Sequence, residues 1–348
     1  MISVKDFGKT SDGKDIREFT ITNGRGMEAV LIEWGATLTS LKVPDKNGNA
    51  MDVVLGFDTA REYLNNTQCL GATVGRNANR IAGAKTEIDG VVYTLEENGN
   101  GNNLHTHSTR GFHMRLWEGK AEDDSNSVIF YLEDPDMYTG FPGTLEMTVT
   151  YRLTEENELL IAYHGVSDKN TIINCTNHSY FNLAGHDSGS AMDQFIQINA
   201  DRFVPVAPGG IPTGELMSVE GTPFDLRKPI RISDHIDDDH EQLSAMGGYD
   251  HSFEIKGENH TMRQAAIAWD EKSGIRMETW TDLPGVQFYC ANFLSEGSGK
   301  GGAVYGKRHA FCLETNYYPN SANEKNFESP VYGPDKEYNT STVYKFSV

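Results

Sequence analysis

The chain is poor in the features that most often betray a role. It holds 4 cysteines in 348 residues, and Cys69, Cys175, Cys290 and Cys312 show no C-x-x-C spacing. That removes a zinc ribbon and a redox pair from consideration. No apolar run is long enough to span a bilayer as a helix, and Met1-Ile2-Ser3-Val4-Lys5-Asp6-Phe7 lacks the apolar core of a secretory leader. A reduced, cytoplasmic protein with buried thiols is expected. Positive charge is also scarce: 30 Lys plus Arg stand against 50 Asp plus Glu, a formal net charge of −20. An acidic surface aids solubility and repels both nucleic-acid phosphates and anionic lipid. Neither nucleic acid nor membrane is therefore an expected partner, and a neutral small molecule is the expected ligand.

Helical signals are few as well. Thr59 precedes Glu62 by three residues, which predicts a short capped turn within 58–65. What the chain has instead is a rhythm of short β-favouring runs broken by turn residues, with 35 glycines to supply the turns. Residues 127–133, 144–153 and 159–166 form one series, with 154–158 as a hairpin loop. Residues 265–269, 275–281 and 286–292 form another, and 28–34, 37–43 and 52–56 a third. Such spacing predicts an all-β antiparallel sandwich or barrel, with no interdomain linker and no internal repeat.

Two tempting motifs fail. Gly299-Lys300 lies in a P-loop-like stretch, but residue 294 is Leu where glycine is required, and residue 301 is Gly where Ser or Thr is required. The acidic stretch 234–241 lacks the glycine and the final glutamate of a calcium-binding EF-hand loop, so it reads as solvated surface.

The block Asn177-His178-Ser179-Tyr180-Phe181-Asn182-Leu183 places a histidine among amide, hydroxyl and aromatic neighbours. A histidine held in one tautomer there can exchange protons near neutral pH, although a hydrogen-bonded structural histidine would look the same. Four further blocks decide the matter: Gly75-Arg76-Asn77-Ala78-Asn79-Arg80-Ile81, Asn103-Leu104-His105, Gly248-Tyr249-Asp250-His251 and Leu313-Glu314-Thr315. In this order and at these separations the chain resembles the aldose 1-epimerase (galactose mutarotase) family, from Gly35-Ala36-Thr37-Leu38 to Tyr344-Lys345-Phe346.

That resemblance implies a large antiparallel β-supersandwich, a single domain over residues 1–348, acting as monomer or homodimer on a small-molecule monosaccharide. It implies interconversion of α and β anomers by acid–base opening and reclosure of the sugar ring. A base takes the C1 hydroxyl proton while an acid protonates the ring oxygen, so no metal, cofactor or covalent adduct is required. Glu314, at the end of the apolar run Ala310-Phe311-Cys312-Leu313, matches the family's base, and desolvation there would raise its pKa. His178 matches the acid and His105 a second histidine that polarises the same region. On this scheme the productive form pairs an ionised Glu314 with a protonated His178. The acid limb of the pH profile would then come from Glu314 and the basic limb mainly from His178.

Asn79, Arg80, Asp250 and Gln287 match the family's substrate contacts. Arginine offers a fork of donors and aspartate two acceptors, a pairing suited to vicinal hydroxyls. Arg76 is expected to close an ion pair outside the site, and Trp34, Trp117 and Phe288 to belong to the core. The chain departs from the family after His105, where Thr106-His107 stands in place of two glycines and the following loop looks longer. Asn316 likewise stands where glutamine or histidine is commoner. A His-x-His pair on a strand would have metal-ligand spacing, but no third ligand is placed near it by sequence. A hexose-phosphate epimerase on the same fold should carry extra basic residues at the site. A non-catalytic sugar-binding protein should have lost Glu314 or His178.

Exhaustive chelation is expected to leave the mutarotation rate unchanged. A loss of activity restored by one divalent metal would contradict the metal-free reading.

Overall fold

The computed structural model describes residues 2–348. Period-two alternation of burial explains its strands. In Leu145–Leu153 the side chains of Leu145, Met147, Val149, Tyr151 and Leu153 face the core, while Glu146 and Arg152 face water. Its hairpin partner Glu158–Ser167 alternates in the same way, joined through a Thr154 N–H···O=C Glu158 turn bond.

These strands belong to a nine-stranded antiparallel sheet. Its order is 118–122, 127–134, 145–153, 158–167, 338–347, 276–281, 263–269, 195–198 and 230–231. The last long strand, Tyr338–Ser347, inserts between Glu158–Ser167 and Arg276–Thr281, which ties the chain's end to its middle. A five-stranded N-terminal sheet runs in sequence order: Ile2–Lys9, Asp15–Thr22, Glu28–Ile32, Thr37–Pro44 and Ala50–Asp52. It packs on the large sheet through contacts such as the edge-to-face pair Phe19 and Phe130, 5.7 Å apart. A second five-stranded sheet is built from 217–218, 202–203, 250–254, 285–289 and 312–316. One cluster of buried apolar side chains runs from Phe19 to Phe346 and takes in members of all three sheets. The architecture is the expected antiparallel β-supersandwich.

The predicted turn near residue 60 is a one-turn helix, Ala60–Tyr63, with the Thr59/Glu62 capping box in place. The expected strand over 52–56 is shorter, Ala50–Asp52. Beyond it the Val53 N–H still reaches the Leu41 carbonyl, but residues 53–55 turn to pair with the 180–182 segment, through Leu55 N–H to the Tyr180 carbonyl and Asn182 N–H to the Val53 carbonyl. The strands Ile2–Lys9 and Asp15–Thr22 were absent from the pattern read above, since mixed exposure in the first blurs its alternation.

Arg76 is fully buried and its guanidinium is saturated by Asp134, the carbonyls of Pro142 and Gly143, and the Thr171 hydroxyl. It anchors the 75–81 segment beneath the cavity instead of lining it. Removing one charge of a buried pair leaves the other uncompensated, so Asp134→Asn should cost about 3–5 kcal/mol in denaturant unfolding. A loss below about 1 kcal/mol would show that Arg76 finds adequate partners without it.

Candidate active site

The register of the second five-stranded sheet assembles the site. In antiparallel strands directly paired residues share a face, and successive residues alternate. Asp250 pairs with Tyr289 and Tyr289 with Cys312; Ser252 pairs with Gln287 and Gln287 with Glu314. Six side chains from three strands thus stand in two rows on one face. The opposite face carries His251, Phe253, Val286, Phe288, Leu313 and Thr315 into the core, where Thr315 bonds Thr342. Phe288 is core, as expected, and Trp117 is core too.

Above the polar face lies a cavity of about 500 Å³ lined by Asn79, Arg80, His105, His178, Asp250 and Glu314, among others. His178 enters from the end of the short strand Thr176–Asn177, fixed by backbone bonds to Ala72 and Gly71. Its ring stacks on Tyr180 at 5.0 Å and meets Tyr289 edge-on at 6.3 Å. His178 Nδ1 lies 3.7 Å from Cys312 Sγ, and Nε2 lies 3.6 Å from Glu314 Oε1. Glu314 Oε2 is buried without a hydrogen-bond partner.

The 3.6 Å separation is within ion-pair range, yet burial acts against charge on both groups. Desolvation pushes the Glu314 carboxyl well above the usual carboxylate range, and the Asp250 charge adds to this while Arg80 opposes it. Desolvation lowers His178 to about 4. Burial outweighs the short separation, since Glu314 Oε2 has no partner and His178 Nδ1 meets only the Cys312 thiol. Burial thus favours the neutral forms of both groups over the ion pair.

His105 faces His178 edge-on at 5.4 Å. Its Nδ1 accepts the Asn79 N–H at 3.1 Å, so in the neutral ring Nε2 carries the hydrogen. Burial, with His178 nearby, holds its pKa well below the ordinary value. On the adjoining wall the Asn79 side-chain oxygen accepts from Arg80 N–H and Nη1, and Arg80 Nη2 lies 3.5 Å from Asp250 Oδ2. The turn between Val206–Ala207 and Ile211–Pro212 covers that guanidinium. Gly210 is needed there: its φ is +75°, and a Cβ would meet Arg80 Nε at 2.9 Å.

Gln287 does not line the cavity. Its Nε2 donates to Asp250 Oδ1 at 2.7 Å, so it orients the aspartate from behind. His107 does not line it either, because its ring is engaged by Arg110, by the Thr109 N–H and by Glu96. The idea of His105 and His107 on one strand face fails because residues 105 and 106 take left-handed backbone angles. Among the described residues, the group with metal-ligand spacing is instead His178, Cys312 and Glu314, whose ligand atoms lie within 4.8 Å of one another. Cys312 is fully buried and its thiol is pushed well up by desolvation, so a ligating thiolate is disfavoured.

Sequence reasoning missed three aromatic liners, Tyr180, Tyr289 and Phe293. Two were within reach: Tyr180 lies in the His178 block, and Tyr289 is two residues from Gln287 and so shares its face. Phe293, 57% exposed at the rim, carried no pattern.

A supersandwich that buries a carboxyl against an imidazole beneath a polar cavity defines a galactose mutarotase-like protein. The chain belongs to the aldose 1-epimerase family, whose model matches residues 17–345. It is 42% identical to the galactose mutarotase of Homo sapiens over 342 residues, 97% of this chain and 96% of that one. It is 36% identical to the aldose 1-epimerase of Escherichia coli strain K12 over 339 residues, 96% of each. Among solved structures, the GalM/aldose epimerase homologue of C. elegans superposes with a TM-score of 0.87 at 33% identity, covering 94% of this chain and 98% of that one. Galactose 1-epimerase from Lactobacillus acidophilus gives 0.85 at 28% identity, covering 100% and 98%.

Proposed function

We propose that the protein is an aldose 1-epimerase that interconverts the α and β anomers of free aldohexoses and pentoses, galactose and glucose among them. The observation that carries this reading is the buried pair of Glu314 and His178 lining the cavity, 3.6 Å apart. Glu314 is the base at the C1 hydroxyl, His178 the acid at the ring oxygen, and His105 a neutral Nε2–H donor beside it. Asn79, Arg80 and Asp250 grip hydroxyls, with Gln287 holding Asp250 in place.

Without substrate, burial favours the proton on Glu314, the opposite of the productive arrangement. The substrate corrects this. A C1 hydroxyl that donates to Glu314 favours the carboxylate, and a ring oxygen that accepts from His178 favours the imidazolium. One proton therefore moves across the pair without exchange with solvent. Base and acid then act together on C1–OH and the ring oxygen, the aldehyde rotates about C1–C2, and reclosure runs the transfers in reverse.

Phosphorylated sugars fit less well. Arg80 is the single Lys or Arg among the described lining residues, and it already faces Asp250. Among the described residues no helix is long and apolar enough to cross a membrane. The four unpaired, buried cysteines fit a reducing cytoplasm.

The pH dependence follows from the shifts, with limbs reversed from those expected on sequence. A depressed His178 pKa keeps that ring neutral until pH falls to about 4, so the acid limb of kcat/KM belongs to His178. A raised Glu314 pKa keeps the pair's one proton until pH climbs well above the carboxylate range, so the basic limb belongs to Glu314. Polarimetry of freshly dissolved α-galactose across pH should show this bell. Glu314→Gln should lower kcat about 10²–10⁴-fold and erase the basic limb. Near-normal turnover in that variant would overturn the assignment of the base.

A further inference from the structure

His105 is delivered to the cavity by a backbone that resists its own conformation. His105 has φ +53° and Thr106 φ +71°. Consecutive left-handed L-residues cost roughly 1–2 kcal/mol each, and a β-branched residue there is a genuine outlier. Glycine would occupy position 106 without strain.

What Thr106 brings is its hydroxyl. The residue is fully buried, and its Oγ1 accepts the Asn77 N–H at 2.8 Å and donates to the Asn77 carbonyl at 3.0 Å. Its own carbonyl accepts from Asn103 Nδ2 at 2.7 Å. One residue before Thr106 and two after Asn77, the His105 N–H donates to the Asn79 carbonyl, and the Asn79 N–H donates to His105 Nδ1, both at 3.1 Å. The turn carrying His105 is thus fastened at two levels to the segment that leads into Arg80. The ring meets His178 edge-on, and the groups acting on it electrostatically, His178, His113 and Arg80, include no anion. The backbone donor at Nδ1 is therefore what selects the tautomer.

We propose that Thr106 is a positioning residue for His105. Its hydroxyl clamps the 105–106 turn to Asn77 in the register at which the Asn79 N–H meets Nδ1, which holds His105 as an Nε2–H donor aimed into the cavity. The clamp's effect on turnover rests on the mutarotase reading; its effect on the tautomer does not.

The test compares the whole protein with Thr106→Ser, Thr106→Val and Thr106→Gly. Each is scored by ¹⁵N NMR of the histidine rings (His105 assigned by its loss in His105→Gln), by mutarotation kinetics and by Tm. The wild type and Thr106→Ser should show one Nε2–H tautomer for His105 and similar kcat. Thr106→Val, which keeps the shape and loses both hydroxyl bonds, should show mixed tautomers and a kcat lowered roughly ten- to hundredfold, as for an ångström-scale misplacement, with KM changed less. Thr106→Gly relieves the backbone and should keep or raise Tm while losing tautomer purity and kcat, so it decides the question should the valine variant not fold. A folded Gly or Val variant with the wild-type tautomer overturns the clamp. Mixed tautomers with undiminished kcat overturn its part in turnover. Should the protein not mutarotate any sugar, the ring spectra still decide the clamp.

Discussion

Taking a carboxyl out of water without giving it a partner is the constraint on which the rest of this structure turns. A buried carboxylate with no compensating donor is expensive, so the group neutralises instead. Glu314 is 3% exposed, one of its oxygens is orphaned, and Asp250 nearby makes ionisation harder still. Only a ligand that brings a donor to that oxygen and an acceptor to His178 makes the charged pair favourable. The empty site is therefore primed for a substrate with a hydroxyl next to an ether oxygen, which is the local chemistry of a cyclic sugar's anomeric centre.

Holding that arrangement falls to the β-architecture. The strands Asp250–Glu254, Gly285–Tyr289 and Cys312–Asn316 are buried on both faces, apolar toward the core and polar toward the cavity. A slip of one residue in Cys312–Asn316 would exchange its two faces and turn Glu314 into the apolar core. The large sheet guards against this, because Tyr344 from its central strand donates to the Leu313 carbonyl. The histidines come from a separate region, the loops that follow the short strands at 103–104 and 176–177. Backbone hydrogen bonds, not side-chain packing alone, fix where those rings point.

Much of this was legible in the sequence, and what escaped did so for physical reasons. The cavity-lining side chains of Glu314, His178, His105, Arg80 and Asp250 sit in short contiguous blocks that stand out in the sequence, and strand periodicity pointed to the sandwich. Gln287 was read as a substrate contact, and its bond to Asp250 escaped because it depends on a cross-strand register that no local pattern encodes. The same holds for the insertion of Tyr338–Ser347 between two strands far away in sequence. The raised pKa of Glu314 was expected, whereas the lowered pKa of His178 was not, because it depends on how completely the strands and aromatic rings shut water out. Thr106 looked like a simple departure from a glycine-rich family pattern. Its hydroxyl bonds to Asn77 became visible only with the turn folded.

The proton's place in the empty site is the central claim, and infrared spectroscopy reads it directly. The ligand-free protein at neutral pH should show a protonated carboxyl stretch that is missing from Glu314→Gln and that fades when the site is saturated with galactose. No difference between the ligand-free protein and Glu314→Gln in that band would mean that Glu314 is already ionised, and that burial does not govern the site.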